Sequence, residues 1–235
     1  MKVQGCSNPG FSFTSKYKNA TISIYNFVNT KCAPGQYEYQ QFQDVLSRET
    51  PSKESEVRML IPFLIKAGII NTDNVIRGGS RIRQLNVNST FFTNEGKCFV
   101  EFLIIEQNKD KLIESQQNII TSIYHKFGLI IYKHLILSED QIYKDIYDYL
   151  QDYNTIDKYE FFLLTDCRSN DHLDKLNDYI LNYRSGKIKK DDIEIVKNQN
   201  AYQYVISFLN QIGILDKDSS TGSYRLGTLI KEIGV

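Results

Sequence analysis

Apolar residues recur at spacings of three and four along most of this chain, between short stretches rich in Gly, Asn, Ser and Pro. That rhythm predicts helices, because 3.6 residues per turn place such positions on one buried face. A first helix is expected over 20–30, through Ile22, Ile24, Tyr25, Phe27 and Val28, ending before the breaker Ala33-Pro34-Gly35. A second spans 37–47, with Tyr39, Phe42, Val45 and Leu46 in register. The third, over 53–67, is opened by Thr50-Pro51-Ser52-Lys53-Glu54-Ser55-Glu56, with Ser52 as cap, and buries Val57, Leu60, Ile61 and Leu64. Pro62 lies inside it and predicts a bend or a later start.

Further on, Val75 to Gln84 reads as a hairpin around Gly78-Gly79, with 85–92 as its returning strand. Helices follow over about 93–105, over 110–137 with a broad apolar face (Ile113, Ile119, Ile120, Ile123, Tyr124, Phe127, Ile130, Ile131), and over 141–153 behind the cap Ser138-Glu139-Asp140. More helix is expected over 158–164, 171–184 and within 191–209, then a turn-rich tip over 216–222, a strand over 223–226 and a terminal turn of helix over 227–235. The opening stretch 5–15 reads as an irregular arm, pinned by Phe11 and Phe13.

One phrase occurs twice. Pro62-Phe63-Leu64-Ile65-Lys66-Ala67-Gly68-Ile69-Ile70 is echoed by Ser207-Phe208-Leu209-Asn210-Gln211-Ile212-Gly213-Ile214-Leu215, 145 positions later. In each copy a helix ends at glycine and a strand begins at an aliphatic pair. Winged-helix domains join their third helix to their wing in this way. The predicted class is therefore mainly α with small β-hairpins (α+β), arranged as tandem winged-helix subdomains. The expected organisation is an N-terminal arm over 1–16, a first winged helix over 17–108, a connecting helix over 109–137 and a second winged helix over 138–235.

Charge sharpens this picture locally. The chain carries 28 Lys and Arg against 28 Asp and Glu, so no global field draws it to a polyanion, and any nucleic-acid contact must come from a concentrated face. Arg77, Arg81 and Arg83 flank the two glycines of the hairpin, with Ser80 at its tip, and no acid lies between Ile76 and Thr93. Arginine on a wing suits phosphate or the minor groove, because its planar fork stays charged and donates several hydrogen bonds. A solvated hairpin is the other reading.

Ser52, Lys53, Ser55 and Arg58 open the first reading helix. Asn198, Gln199, Asn200 and Gln203 form an amide cluster at the second, and amides can read adenine. Lys187 and Lys189, beside Ile188 and Lys190, make a second basic cluster, which is either a phosphate contact or a solvated loop. Ordinary exposed polar positions and caps are the alternative for the amides.

Catalytic patterns are absent from the sequence. His125, His134 and His172 stand apart, no glycine-rich phosphate loop occurs, and in Asp192-Ile193-Glu194-Ile195-Val196-Lys197 the lysine stands one residue too far for a magnesium nuclease motif. No cofactor, metal or catalytic residue is expected in this chain. Cys6, Cys32, Cys98 and Cys167 have no partner at ligand spacing and read as reduced structural thiols. No stretch reaches the roughly 18 to 20 apolar residues of a membrane helix, so a cytoplasmic protein is expected.

The second half resembles the DNA-recognition regions of type IIS restriction endonucleases. The likeness lies in Lys158-Tyr159-Glu160-Phe161-Phe162-Leu163-Leu164, in Asp171 and Asp174 ahead of Tyr179-Ile180 and Tyr183-Arg184, and in Asn200-Ala201 leading to Phe208-Leu209 and Gly213-Ile214-Leu215. It implies a module that reads double-stranded DNA while a separate nuclease domain or subunit cleaves. A transcriptional regulator, a plasmid replication initiator and a protein-interaction scaffold remain open on the same fold.

Overall fold

The computed structural model describes residues 1–7, 14–138 and 141–231, without the side chains of Leu229 and Lys231. Phe11 and Phe13, expected to pin the arm, Glu139 and Asp140, expected in a cap, and 232–235 lie outside the described residues. Helix makes up 61% of the described residues and strand 14%, with small sheets, so the class is α+β.

In chain order the elements are β1 (Lys2–Gln4), α1 (Ser15–Thr30), β2 (Gly35–Glu38), α2 (Tyr39–Glu49), α3 (Glu54–Lys66), β3 (Val75–Gly78), β4 (Arg81–Val87), α4 (Asn94–Glu106) and α5 (Glu114–Leu137). They continue with α6 (Ile142–Tyr153), α7 (Lys158–Ser169), α8 (Leu176–Arg184), β5 (Glu194–Lys197), α9 (Ala201–Gln211), β6 (Leu215–Lys217), β7 (Tyr224–Leu226) and α10 (Thr228–Lys231). The chain divides into two compact units, a first formed by Phe13–Leu135 and a second formed by Met1–Ser12 with Ile136–Val235.

In the first unit, α1, α2 and α3 bury Ile24, Phe42, Leu46, Leu60, Ile61 and Leu64 completely. β2, β4 and β3 form an antiparallel sheet in that order, with Leu85 opposite both Tyr37 and Val75. Gly35–Glu38 form a strand, so Tyr37 and Glu38, the expected start of the second helix, are extended instead; β4 supplies them with backbone partners, and tertiary pairing overrides a local pattern this short. Thr93 caps α4 by accepting from the Gly96 N–H at 2.9 Å. Phe99 and Phe102 of α4 meet Phe127 of α5 at ring separations of 5.5 and 5.4 Å. The apolar face predicted along α5 is only partly covered: Tyr124 and Ile131 are buried, whereas Ile119, Ile123 and Ile130 are exposed.

The cap of α3 sits one residue later than expected. Lys53 is the N-cap, and Glu56 in the first turn accepts from the Lys53 backbone N–H at 3.3 Å. Glu56 is buried and also pairs with Lys16, tying α1 to α3. The Lys16 ammonium holds the Glu56 carboxyl below its ordinary value, against the opposing effect of burial and with help from the Lys53 backbone. Because the folded value lies below the unfolded one near 4.5, the pair stabilises above that pH and its contribution is lost as pH falls through the lowered folded value. Glu56→Gln keeps the cap but not the charge. It is expected to lower the melting temperature at neutral pH and to converge with the wild type as pH falls through the lowered folded value; a difference that persists in acid would exclude the ion pair as its cause.

In the second unit, α6, α7 and α9 surround Tyr143, Ile146, Phe161, Phe162, Phe208 and Leu209. β6 and β7 form an antiparallel hairpin, and Ile156 bridges Tyr224, giving the order Ile156, β7, β6. That repeats the order β2, β4, β3 of the first unit. Between α7 and α9 lies an insertion, α8 and β5, whose strand pairs in parallel with β1. The expected N-terminal arm, 1–16, therefore begins as a strand ahead of the stretch read as irregular, and Thr165 Oγ1 donates to the Gln4 carbonyl at 2.8 Å.

The repeated phrase is the same motif in both units. The Gly68 N–H donates to the Ile65 carbonyl and Ile69 to Leu64; the Gly213 N–H donates to Asn210 and Ile214 to Leu209. These are the paired bonds that close a helix through a left-handed residue, and Gly68 and Gly213 take φ of 70° and 77°. A Cβ on Gly68 would also strike the His134 ring at 2.5 Å, so α5 closes over the end of α3.

Candidate nucleic-acid interface

The hairpin of the first unit is held by its inner residues and charged on its exposed ones. Leu85 and Val87 are buried, while Arg77, Arg81 and Arg83 are exposed. Gly79, with φ of 65°, turns the chain and leaves Ser80 exposed at the tip. The outer strand is fastened by amides: Gln36 Nε2 donates to Gln84 Oε1 at 2.6 Å, and Gln84 Nε2 donates to Glu38 Oε1 at 2.5 Å.

Lys53 at the N-cap and Glu54, Ser55, Arg58 and Met59 of α3 are exposed to solvent. Ser52 is different: it is buried at 4% exposure, so it does not belong on a contact face, because the helix starts after it and its hydroxyl points inward. Pro62 does not delay the helix, as α3 runs from Glu54 to Lys66 around it. From Val57 to Asn94 the chain carries Arg58, Lys66, Arg77, Arg81 and Arg83 against a single acid, Asp73.

In the second unit the matching helix is α9, and the shared glycine motif sets the correspondence. Counting back from Gly68 and Gly213, Ser55 matches Asn200, Arg58 matches Gln203 and Met59 matches Tyr204. The first helix thus carries a charge where the second carries an amide. Part of the predicted amide cluster is already engaged in structure. Asn198, at φ of 52°, donates from Nδ2 to the Gly5 carbonyl, and Gln199 Nε2 donates to the Ile195 carbonyl, each at 2.9 Å. Both precede α9, which starts at Ala201; Asn200 is its N-cap and Gln203 is exposed. Lys187 and Lys189 are exposed in the insertion between α8 and β5, apart from both α9 and the β6–β7 hairpin in sequence and element.

Comparison with known proteins returned nothing: no family model, curated protein or solved structure matches this chain. One quantity that the whole-chain charge conceals becomes visible once the units are known. The first unit holds fifteen Lys and Arg against eleven Asp and Glu, and the second thirteen against seventeen, so a neutral chain is a +4 unit joined to a −4 unit. A running charge count over the two parts of the sequence carries that signal.

Some of these acids are paired inside the second unit, which leaves its net charge at −4. Arg184 Nε meets Glu160 Oε1 at 2.6 Å, Arg168 pairs with Asp145, and Tyr183 donates to Asp157 Oδ2 at 2.7 Å. Asp157 also caps α7 by accepting from the Tyr159 and Glu160 N–H groups. Burial, then the bond to Asp157, pushes the Tyr183 phenol up. Asp148, Asp152, Asp171, Asp174, Asp178 and Asp191 sit on the same unit.

Among the described residues no group of three His, Cys, Asp or Glu is placed to hold a metal ion. No disulfide joins the four cysteines, and burial pushes Cys167 up to about 11. Among the described residues no helix is long and apolar enough to cross a membrane.

Proposed function

We propose that this chain is a sequence-specific double-stranded DNA-binding module of two winged-helix subdomains, the recognition part of a restriction endonuclease whose cleavage domain or subunit is separate. The observation that carries the reading is the first unit's surface, where the hairpin exposes Arg77, Arg81 and Arg83 with no acid between them, and the start of the helix exposes Lys53 and Arg58 beside one exposed acid, Glu54. The helix and hairpin of that unit occur in the order helix, strand, helix, helix, hairpin, and the second unit repeats the order with an insertion. In such a fold the third helix enters the major groove and the hairpin lies along the backbone or minor groove.

The two units divide the work in this reading. The +4 unit grips phosphate through Arg77, Arg81 and Arg83, while Arg58 reaches a base edge. The second unit offers the uncharged face of α9, with Gln203, Tyr204, Ser207 and Gln211, which suits base readout more than phosphate neutralisation.

Selection of binding sites from random duplexes, followed by affinity measurements at rising salt, tests the proposal. A single selected site with a steep salt slope supports it, and an asymmetric site supports the restriction role. An inverted repeat points to a regulator instead. Absence of binding at low salt removes DNA as the partner and leaves a protein-interaction scaffold, which the −4 charge of the second unit favours.

A further inference from the structure

The hairpin contains two adjacent glycines, and they do different things. Gly79 occupies the left-handed region at φ of 65°, and a Cβ there would meet nothing within 4 Å, so it serves the turn alone. Gly78 is not left-handed, and its backbone would accept any residue. A Cβ on Gly78, however, would lie 2.7 Å from Arg83 Cδ and 2.6 Å from Cζ, and closer still to Nε. A glycine within a strand often marks the close approach of another group.

The ladder explains why Arg83 arrives there. Ile76 pairs with Gln84 and Arg77 with Ile82, so Arg83 is the extra residue of a β-bulge. Bulges redirect the side chain they carry. We infer that Gly78 is the seat of Arg83, holding its guanidinium across the hairpin so that Arg83 is a positioned contact of the wing and not one more mobile charge. A planar guanidinium fixed before binding loses less freedom when it meets a phosphate or a groove edge. The DNA half of this inference rests on the proposed function; the seat does not.

Side-chain nitrogen relaxation of the arginine Nε–H groups, without DNA, tests the seat directly. Arg83 is expected to be ordered beyond Arg81 in the wild type and to fall to the level of Arg81 in Gly78→Ala. Equal mobility of Arg83 and Arg81 in the wild type, or no change in the variant, would overturn it.

With the selected duplex, Gly78→Ala is expected to weaken binding about tenfold, matching Arg83→Ala, with the double variant no weaker than Arg83→Ala alone. Arg83→Lys keeps the charge, needs no folded Gly78→Ala, and is expected to show the same loss. If Arg83→Ala weakens binding while Gly78→Ala and Arg83→Lys bind as the wild type does, the seat is refuted and DNA binding stands. If the wild type binds no duplex, the DNA reading fails and relaxation alone decides the seat.

Discussion

Replacing Arg77, Arg81 and Arg83 together by alanine is expected to weaken duplex binding by about two orders of magnitude and to flatten its salt dependence. All three side chains are exposed, and the sheet beneath them is held by buried Leu85 and Val87, so the fold has no need of them. Each phosphate contact contributes about 0.9 to the slope of log affinity against log salt, so loss of three contacts reduces the slope by close to 3. At roughly 1 kcal/mol per contact, the affinity loss is about 100-fold. The melting temperature should stay close to the wild type, since exposed substitutions away from caps and buried partners change stability by about 0.5 kcal/mol or less. Unchanged affinity and slope would remove the hairpin from the interface, whatever the chain binds elsewhere.

Arg58→Ala is a useful contrast to that variant. It lies on the helix expected to face base edges, so its loss should alter which sequences are selected more than it alters the salt slope. The division follows from position: Arg58 is at the exposed side of α3, and the three wing arginines are on strand ends.

What could be read from sequence follows the range of the interactions involved. The helix ends at Gly68 and Gly213 were legible because a left-handed cap needs glycine and is made within six residues. The Thr93 cap and the hairpin around Gly79 were legible for the same reason. β1 was hidden because three residues have no usable period and their partner, β5, lies about 190 positions away. β2 was hidden by Tyr39 and Phe42, whose helical spacing runs back into a strand that only β4 stabilises. Of the site residues, Ser52 failed because a Ser-x-x-Ser pattern looked like the cap, whereas the Lys53–Glu56 arrangement places Ser52 inside. Asn198 and Gln199 misled because sequence shows which amides are near a helix but not which are already bound to backbone. The opposed charges of the units were in the sequence throughout, masked by their sum of zero.

The second unit should be most sensitive at Arg184. Its guanidinium reaches three elements at once: Nε donates to Glu160 Oε1 at 2.6 Å, Nη1 to the Tyr153 carbonyl at 3.1 Å and Nη2 to the Thr155 carbonyl at 2.8 Å. The Glu160 side chain is 5% exposed, and its other oxygen accepts from the Asp157 N–H at 2.8 Å. Arg184→Ala therefore strands a buried carboxylate and frees α8 from the turn after α6. Breaking a fully buried pair costs about 3 to 5 kcal/mol, and because Arg184 is itself about a third exposed, water can recover part of that, leaving about 2 to 3 kcal/mol. For a unit of this size that lowers the melting temperature by roughly 10 °C. Arg184→Lys is expected to rescue little, since one ammonium cannot serve three acceptors in a plane. Combining Arg184→Ala with Glu160→Gln should cost less than the two changes taken separately, because the stranded charge is gone. If Arg184→Ala melts with the wild type, the fork is decoration on a unit held by its core; if it lowers the second unit's transition alone, the insertion is a structural brace.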